Sequence, residues 1–286
     1  MTALDQPIAI LEHVGELASR YDAWICDIWG VLHNGVAAHA SAVDACIAFR
    51  RGGGSIILVT NAPRPHTSVA EQLLRLGIDI AAYDTIITSG DVTRGLLQDL
   101  GRTSIYHIGP ERDLSVFAGF DLARVAAAQA RSVVCTGLFD DTRERPEDYR
   151  ATLTALADRG VAMICANPDL TVDRGGTIVP CAGAVAAFYE TLGGSVVYAG
   201  KPYAPIYSRA FNAIAAARGA PVPPQRILGI GDGVKTDIEG ACAAGIAALY
   251  IASAIHLDGP LTAGGLNTLF DRTPFRPIAA QAALRW

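Results

Sequence analysis

The chain has 286 residues, of which 51% are hydrophobic and 18% are charged, a composition that excludes an intrinsically disordered protein. Its net charge is −5 and its longest basic run is Arg50 and Arg51, so we expect no nucleic-acid partner, because such binding needs a basic surface. No run of about 18 apolar residues predicts a membrane span. The six cysteines form no CxxC pair, which is typical of buried thiols in a reducing compartment, and we expect a cytoplasmic protein.

Short apolar runs alternate with helical patterns along the chain, after an amphipathic surface helix predicted over residues 8–17. This alternation predicts the α/β class, with a doubly wound parallel sheet. Strands are predicted at residues 24–26, 56–59, 196–199, 227–230 and 247–251. Helices are predicted at residues 40–51, 68–76, 182–192, 205–218 and 237–244.

The middle of the chain, residues 84–181, repeats the same alternation on its own. Its predicted strands are residues 103–108, 132–136 and 161–166, and its predicted helices are residues 91–100, 122–130 and 146–159. We therefore predict an inserted α/β cap domain at 84–181, between two parts of a core formed by 1–83 and 182–286. Residues 273–286 are predicted to be a surface-packed tail.

Polar residues follow four of the strands predicted for the core. They are Asp27, Thr60, Lys201 and Asp232. Ligands of open parallel sheets bind beyond the carboxyl ends of the strands. The sequence therefore predicts that these four side chains converge on one crevice.

The residue types at these positions suit a metal ion and a phosphate. Residues 231–237 (GDGVKTD) place two carboxylates around a strand-to-helix turn, and such hard oxygen ligands suit Mg²⁺. Asp237 taken alone could equally be a helix N-cap or a first-turn acid. Thr60 and Asn61 could offer a hydroxyl and backbone N–H groups to a phosphate, or could form a turn. Lys201 could place its charge on a phosphate or could be solvated.

Four segments resemble, in order, the four motifs of haloacid dehalogenase superfamily phosphatases. They are residues 27–31 (DIWGV), 60–61 (TN), 200–202 (GKP) and 231–237 (GDGVKTD). The insertion point and residues 165–169 (CANPD) resemble class IIA of that superfamily, which contains the NagD-like and pyridoxal-phosphate-phosphatase-like enzymes. The resemblance spans nearly the whole chain and implies a Rossmann-like core with the inserted α/β cap of that class.

This resemblance implies a Mg²⁺-dependent phosphatase that hydrolyses a small phosphomonoester, such as a sugar phosphate or a similar metabolite. Asp27 would attack the phosphorus atom and become a transient aspartyl phosphate, which water then hydrolyses. The metal ligands would be Asp27, the backbone carbonyl of Trp29 and Asp232. Asp237 would lie in the coordination sphere or next to it.

The resemblance also implies how the phosphoryl group is bound. Thr60, the backbone N–H of Asn61 and the catalytic Lys201 would contact its oxygen atoms. The cap would close over the site and select the substrate, and its exposed surface could form a homodimer, as in similar proteins. The cap residues facing the substrate would be Asn167, Asp169 and residues 175–176.

One position departs from the pattern of the family. Family phosphatases normally carry a second aspartate two residues after the nucleophile, which protonates the leaving oxygen and later activates water, whereas this chain has Trp29. General acid–base catalysis contributes about 10²–10⁴ in rate, so we expect alkyl phosphates to be poorer substrates than aryl or acyl phosphates. His33 and Asp91 could supply a proton, or could be a turn histidine and a helix N-cap. The alternative hypothesis is a phosphoryl-ligand-binding or regulatory protein with weak turnover.

Overall fold

The computed structural model describes residues 7–174, 177–252 and 260–286, so residues 175–176 of the predicted cap loops lie outside the described residues. Within these ranges the strands are β1 (Ala9–Ile10), β2 (Ala23–Asp27), β3 (Ser55–Thr60), β4 (Thr85–Thr88), β5 (Ser104–Ile108), β6 (Ala123–Arg124), β7 (Ser132–Cys135), β8 (Ala162–Cys165), β9 (Thr171–Arg174), β10 (Thr177–Pro180), β11 (Val196–Tyr198), β12 (Ile227–Gly231), β13 (Ala247–Ile251) and β14 (Ala279–Gln281). The helices are α1 (Gly15–Ala18), α2 (Ala40–Arg51), α3 (His66–Arg75), α4 (Ser89–Leu100), α5 (Arg150–Asp158), α6 (Ala182–Thr191), α7 (Ala204–Arg218), α8 (Glu239–Ala243) and α9 (Ala263–Phe270).

The described residues form two main sheets. The larger has the strand order β1–β14–β13–β12–β2–β3–β4, and its pairings from β1 through β3 are parallel. Strands β2, β3 and β12 are buried along their whole length, which explains their nearly continuous apolar sequences, since strands covered on both faces need apolar residues throughout. The smaller sheet is parallel, with the order β11–β8–β7–β5–β6, and β9 pairs antiparallel with β10. The predicted α/β class with parallel sheets is confirmed.

The chain divides into two compact units. The first unit comprises Met1–Thr60, Ala70–Ile87 and Tyr207–Trp286, and the second comprises Asn61–Val69 and Thr88–Ile206. These bounds differ from the predicted core and cap, whose roles stay a prediction. Strand β11, which the sequence analysis places in the same sheet as Asp27, instead pairs with β8 in the smaller sheet. The apolar pattern of a strand identifies its burial but not its partner.

Both ends of the chain differ from their predicted structures. The helix predicted over residues 8–17 is observed as the short strand β1 and the four-residue helix α1. The predicted surface tail contains β14, whose residues are all buried. The two strands pair with each other in register, Ala9 opposite Ala279. Both predictions are wrong because sheet pairing between distant segments overrides local pattern.

A third difference lies in the second unit, where residues 122–130 are predicted as a helix. This segment contains β6 and the 3₁₀ turn Ala127–Gln129. The amides of Ala123 and Val125 donate hydrogen bonds to the carbonyls of Thr103 and Ile105, at 3.1 and 2.9 Å. Backbone pairing with β5 therefore decides the conformation here, although the sequence is rich in alanine.

Two further expectations concern the cysteines and membrane insertion. Five of the six cysteines are buried and Cys242 is partly buried, as expected for thiols that act as small apolar side chains. Across the three described ranges, no helix combines the length and the apolar character that crossing a lipid bilayer requires.

Candidate active site

Three aspartates of the first unit lie together. Carboxylate oxygens of Asp27, Asp232 and Asp237 are within 4.8 Å of one another, and the three residues are only 6–8% exposed. Their meeting follows from strand order, because β12 is the neighbour of β2 and Ile230 pairs with Cys26. Asp27 ends β2 and Asp232 directly follows β12, so both reach the carboxyl edge of the same sheet.

Glycines allow these carboxylates to lie close to the backbone. A Cβ atom at Gly30 would approach the carboxylate of Asp232 to under 3.0 Å, and one at Gly231 would approach the carboxylate of Asp237 as closely. Gly30 also has φ +84°, a conformation that other residues seldom adopt. The cluster therefore requires glycine at these two positions.

Asp237 belongs to a single turn of π-helix, Val234–Ile238, that precedes α8. Its Oδ2 accepts a hydrogen bond from the amide of Gly233 at 3.0 Å, and its backbone carbonyl accepts one from the hydroxyl of Tyr207 at 3.3 Å. The N-cap of α8 is Ile238, so Asp237 is not the helix N-cap that the sequence left open. Single π turns are frequent at functional sites, and this one fixes the carboxylate beside its two partners.

Thr60 and Trp29 are the other predicted site residues of the first unit. Thr60 is the last residue of β3 and is buried, one position beyond Val59, which pairs with Asp27. Trp29 follows β2 and is half-buried. Its indole packs over Gly35, where a Cβ atom would lie 3.5 Å from the ring. The structure therefore places Thr60 at the same sheet edge as Asp27. The Trp29 side chain packs against Gly35, in the same loop.

The two candidate proton donors have structural partners. The Nδ1 atom of His33 accepts a hydrogen bond from the amide of Gly35 at 2.9 Å, which leaves the proton of the neutral ring on Nε2. Burial, with a smaller contribution from His39, lowers the pKa of His33 to about 4, so the ring is neutral at pH 7. Asp91 completes a capping box with Thr88 at the start of α4. These contacts favour a structural role for both residues, but Asp91 is not the helix N-cap that the sequence suggests, because Thr88 is the N-cap of α4 and Asp91 is its third residue.

The remaining predicted residues form a hydrogen-bonded network inside the second unit. The side-chain oxygen of Asn61 accepts from the amide of Lys201 at 2.7 Å, and its nitrogen donates to the carbonyl of Lys201 at 3.2 Å and to Oδ1 of Asp169 at 2.9 Å. The amide of Asp169 donates to the side chain of Asn167 at 3.0 Å. The sequence predicts only a backbone role for Asn61 and gives no sign of this side-chain network, since Asn61 is 108 residues from Asp169 and 140 residues from Lys201.

The carboxylate cluster fits a hard divalent cation. Mg²⁺ prefers oxygen ligands and uses one or two carboxylates together with phosphate oxygens. Buried carboxylates this close repel one another, and a cation among them offsets that repulsion. Among the described residues of the first unit, Asp27, Asp232 and Asp237 are therefore a group that could hold such an ion.

Comparisons with known proteins agree with this arrangement. The family model for haloacid dehalogenase-like hydrolases matches residues 24–123, and a second, HAD-hydrolase-like, model matches residues 198–267. A crystal structure of a haloacid dehalogenase-like hydrolase from Brucella suis 1330 shares 46% identity and superposes with a TM-score of 0.86, covering 96% of this chain and 100% of the other. NagD from E. coli K-12 has a similar fold, with 24% identity, a TM-score of 0.68, and coverage of 92% and 96%.

A curated relative is also similar over most of the chain. Dihydroxyacetone phosphatase of Corynebacterium glutamicum (strain R) is 26% identical over 226 residues, which are 78% of this chain and 74% of the relative. The two family matches, the aspartates that they contain and the similarity to the Brucella protein lead to one conclusion. This chain belongs to the haloacid dehalogenase-like family of hydrolases.

Proposed function

We propose that this hydrolase is a Mg²⁺-dependent phosphatase that hydrolyses a small phosphomonoester through an aspartyl phosphate on Asp27. The observation that carries the proposal is the cluster of three buried carboxylates, which suits a divalent cation beside a phosphoryl group. The similarity to a dihydroxyacetone phosphatase supports a small phosphorylated metabolite as the substrate.

In this mechanism Asp27, Asp232, Asp237 and the backbone carbonyl of Trp29 would hold the metal. Bound Mg²⁺ supplies positive charge that offsets the charge of the phosphoryl oxygens and of the carboxylates. An oxygen of Asp27 forms a bond to phosphorus as the bond to the leaving oxygen breaks. Water then attacks the phosphorus, which releases inorganic phosphate and restores the carboxylate of Asp27.

The phosphoryl-binding groups are assigned by resemblance. Thr60 donates its hydroxyl proton, Asn61 donates its backbone N–H, and Lys201 contributes its ammonium group. Asn167 and Asp169 belong to the segment that resembles the cap-proximal part of class IIA proteins, to which we assign this chain. The cysteines, which are mostly buried and form no CxxC pair, fit a cytoplasmic location.

Trp29 limits the substrate range in this proposal. Its indole N–H can donate a hydrogen bond but cannot transfer a proton, and the neutral His33 ring is held by its own loop. Alkyl phosphates, whose alkoxide leaving groups need a proton, are therefore expected to react more slowly than aryl or acyl phosphates. The same feature favours the second candidate function, a phosphoryl-ligand-binding protein with weak turnover.

A steady-state assay separates the two functions. Wild type, Asp27→Asn and the exposed control Asp44→Asn are compared with Mg²⁺ on p-nitrophenyl phosphate, acetyl phosphate, glycerol phosphate and dihydroxyacetone phosphate. The phosphatase proposal requires turnover by wild type and by Asp44→Asn, and loss of turnover in Asp27→Asn. Binding of phosphate with Mg²⁺ but no Asp27-dependent turnover on any substrate would establish the binding protein instead.

A further inference from the structure

We infer that the side chain of Asn61 is a positioning residue for Lys201, which it holds by both main-chain groups. The inference rests on the proposed phosphate-binding role of Lys201 and assigns the Asn61 side chain a task separate from that of its backbone N–H. All of the contacts that carry it lie within the second unit.

The amide group of Asn61 matches the peptide groups of Lys201. Its oxygen accepts from the Lys201 N–H at 2.7 Å, and its nitrogen donates to the Lys201 carbonyl at 3.2 Å. The same nitrogen donates a second hydrogen bond to Oδ1 of Asp169, at 2.9 Å. An amide provides two donors and an acceptor at once, whereas a carboxylate of the same shape provides no donor. The contact is therefore specific for asparagine.

The packing around this contact leaves little freedom. Asn61 and Lys201 are each 4% exposed. A Cβ atom at Gly200 would lie under 3.0 Å from the side-chain oxygen of Asn61 and 2.7 Å from Cδ of Pro168. The backbone before Lys201 thus approaches Asn61 as closely as glycine permits. In such a buried place, loss of the amide would leave the N–H and the carbonyl of Lys201 without these partners, which is costly.

Asp169 fixes the orientation of the Asn61 amide. Its carboxylate accepts the hydrogen bond from Asn61, and a charged acceptor makes that bond stronger than one between neutral groups. The backbone N–H of Asp169 in turn donates to the side chain of Asn167 at 3.0 Å. We therefore assign Asp169 and Asn167 a supporting role behind Lys201, in addition to any contact with substrate.

Loss of the Asn61 side chain should change the position of Lys201 but not its charge. Removing the Asn61 side chain keeps the ammonium group of Lys201 but releases the peptide unit that carries it. A displacement of about 1 Å in a catalytic group can lower the rate about 10²-fold. Asn61 variants should therefore lose phosphate affinity and turnover while their fold remains.

The first experiment compares Asn61→Asp and Asn61→Ala with the wild-type protein and with Asn267→Asp. Asn267 is exposed, and its oxygen accepts from Arg276 at 2.6 Å, so it provides the same chemical change without contact to Lys201. The Kd of inorganic phosphate is measured with Mg²⁺ by calorimetry, and kcat/KM is measured on p-nitrophenyl phosphate. We expect both Asn61 variants to be about 10–100-fold worse in each quantity, with Asn267→Asp within about twofold of wild type. Wild-type values in Asn61→Asp would overturn the inference.

A double-variant cycle tests whether Asn61 acts through Lys201. Because Lys201→Met removes the group that Asn61 positions, adding Asn61→Ala to it should lower kcat/KM by no more than about twofold further. A further loss of tenfold would overturn the inference. If Asn61→Ala lacks a cooperative melt, Asp169→Ala replaces it, and wild-type phosphate affinity in that variant would also overturn the inference. A wild-type protein that neither binds phosphate nor turns over any phosphomonoester defeats the proposed function itself, a distinct result.

Discussion

Gly30 and the carboxylate of Asp232 lie so close together that a Cβ atom at position 30 would come within 3.0 Å of that carboxylate. Gly30 has φ +84° and lies three residues after Asp27, in the loop that follows β2, while Asp232 directly follows β12. One residue thus links the backbone after Asp27 to the carboxylate on the neighbouring strand. Even a methyl side chain at position 30 should therefore displace the carboxylate of Asp232.

Gly30→Ala should displace Asp232 and weaken Mg²⁺ binding, with kcat/KM lowered by about 10²-fold. The matched control is Gly77→Ala, because Gly77 has φ +78° but a Cβ atom there would meet nothing within 4 Å. Both variants should lose about 1 kcal/mol of stability from backbone strain, and only Gly30→Ala should lose Mg²⁺ affinity in calorimetry. Equal Mg²⁺ affinity in the two variants would show that the contact has no role in the metal site.

Asp237→Asn should lower Mg²⁺ affinity by about 10–100-fold, since altered ligands or their close supports cost that much in metal sites. Without metal the variant should melt at the same temperature as wild type or higher, because one of three neighbouring carboxylates is neutralised. Melting is measured with EDTA and with Mg²⁺, and Asp44→Asn controls for the change in net charge. A variant that Mg²⁺ stabilises as much as it stabilises wild type would remove Asp237 from the site.

Stability should fall between pH 6.5 and pH 4 because of the buried His33 and the half-buried His107. Burial lowers the pKa of His33 to about 4, and burial with the nearby Arg124 charge lowers the pKa of His107 to about 4. In the unfolded chain a histidine binds a proton with a pKa near 6.5. The stability that these two histidines contribute is therefore fully present above pH 6.5 and is lost as the pH falls towards 4. Each histidine contributes up to about 2 kcal/mol to this loss at pH 5.

His107→Gln should therefore shrink the difference in urea midpoint between pH 7.5 and pH 5. His107 Nε2 lies 2.9 Å from the hydroxyl of Thr136, and glutamine can keep a polar partner for that hydroxyl. The exposed His13→Gln serves as the control. If both variants retain the wild-type pH difference, the protonation of half-buried His107 does not cause the acid sensitivity.

Trp29→Asp should raise kcat on glycerol phosphate relative to kcat on p-nitrophenyl phosphate by at least about tenfold, within the range of general acid catalysis. Trp29→Phe controls for loss of the indole from its position over Gly35. The kcat ratio is measured on both substrates at saturating Mg²⁺. An unchanged ratio with intact Mg²⁺ binding would show that another group protonates the leaving oxygen, and His33→Ala would identify it or exclude it.

The strands that end beside the carboxylates could be predicted because their apolar runs, although short, are followed directly by polar residues. Asp27 and Asp232 lie at the carboxyl ends of neighbouring strands of one parallel sheet, as that pattern indicates. Strands β1 and β14 could not be predicted because two or three residues carry no periodic signal, and only their mutual pairing defines them. The pairing of β11 with β8 could not be predicted for a related reason, since an apolar run does not specify its neighbour.

The Asn61 network could not be predicted either. Its hydrogen bonds join segments 108 and 140 residues apart, and no local pattern marks a side chain that binds a distant backbone. Gly30 and Gly231 gave a weak signal, because glycine beside an aspartate suggests a close approach of the backbone. Only the folded structure shows that Gly30 lies against the carboxylate of Asp232 and Gly231 against that of Asp237.

Chemical trapping of the phosphorylated side chain decides whether Asp27 is the nucleophile. Wild-type protein is mixed with Mg²⁺ and p-nitrophenyl phosphate, quenched during turnover, and reduced with borohydride, which converts an aspartyl phosphate to homoserine. We expect homoserine at position 27 in the peptide mass spectrum and none in protein quenched without substrate. Unmodified Asp27 in a protein that turns over, with undiminished turnover by Asp27→Asn, would contradict it.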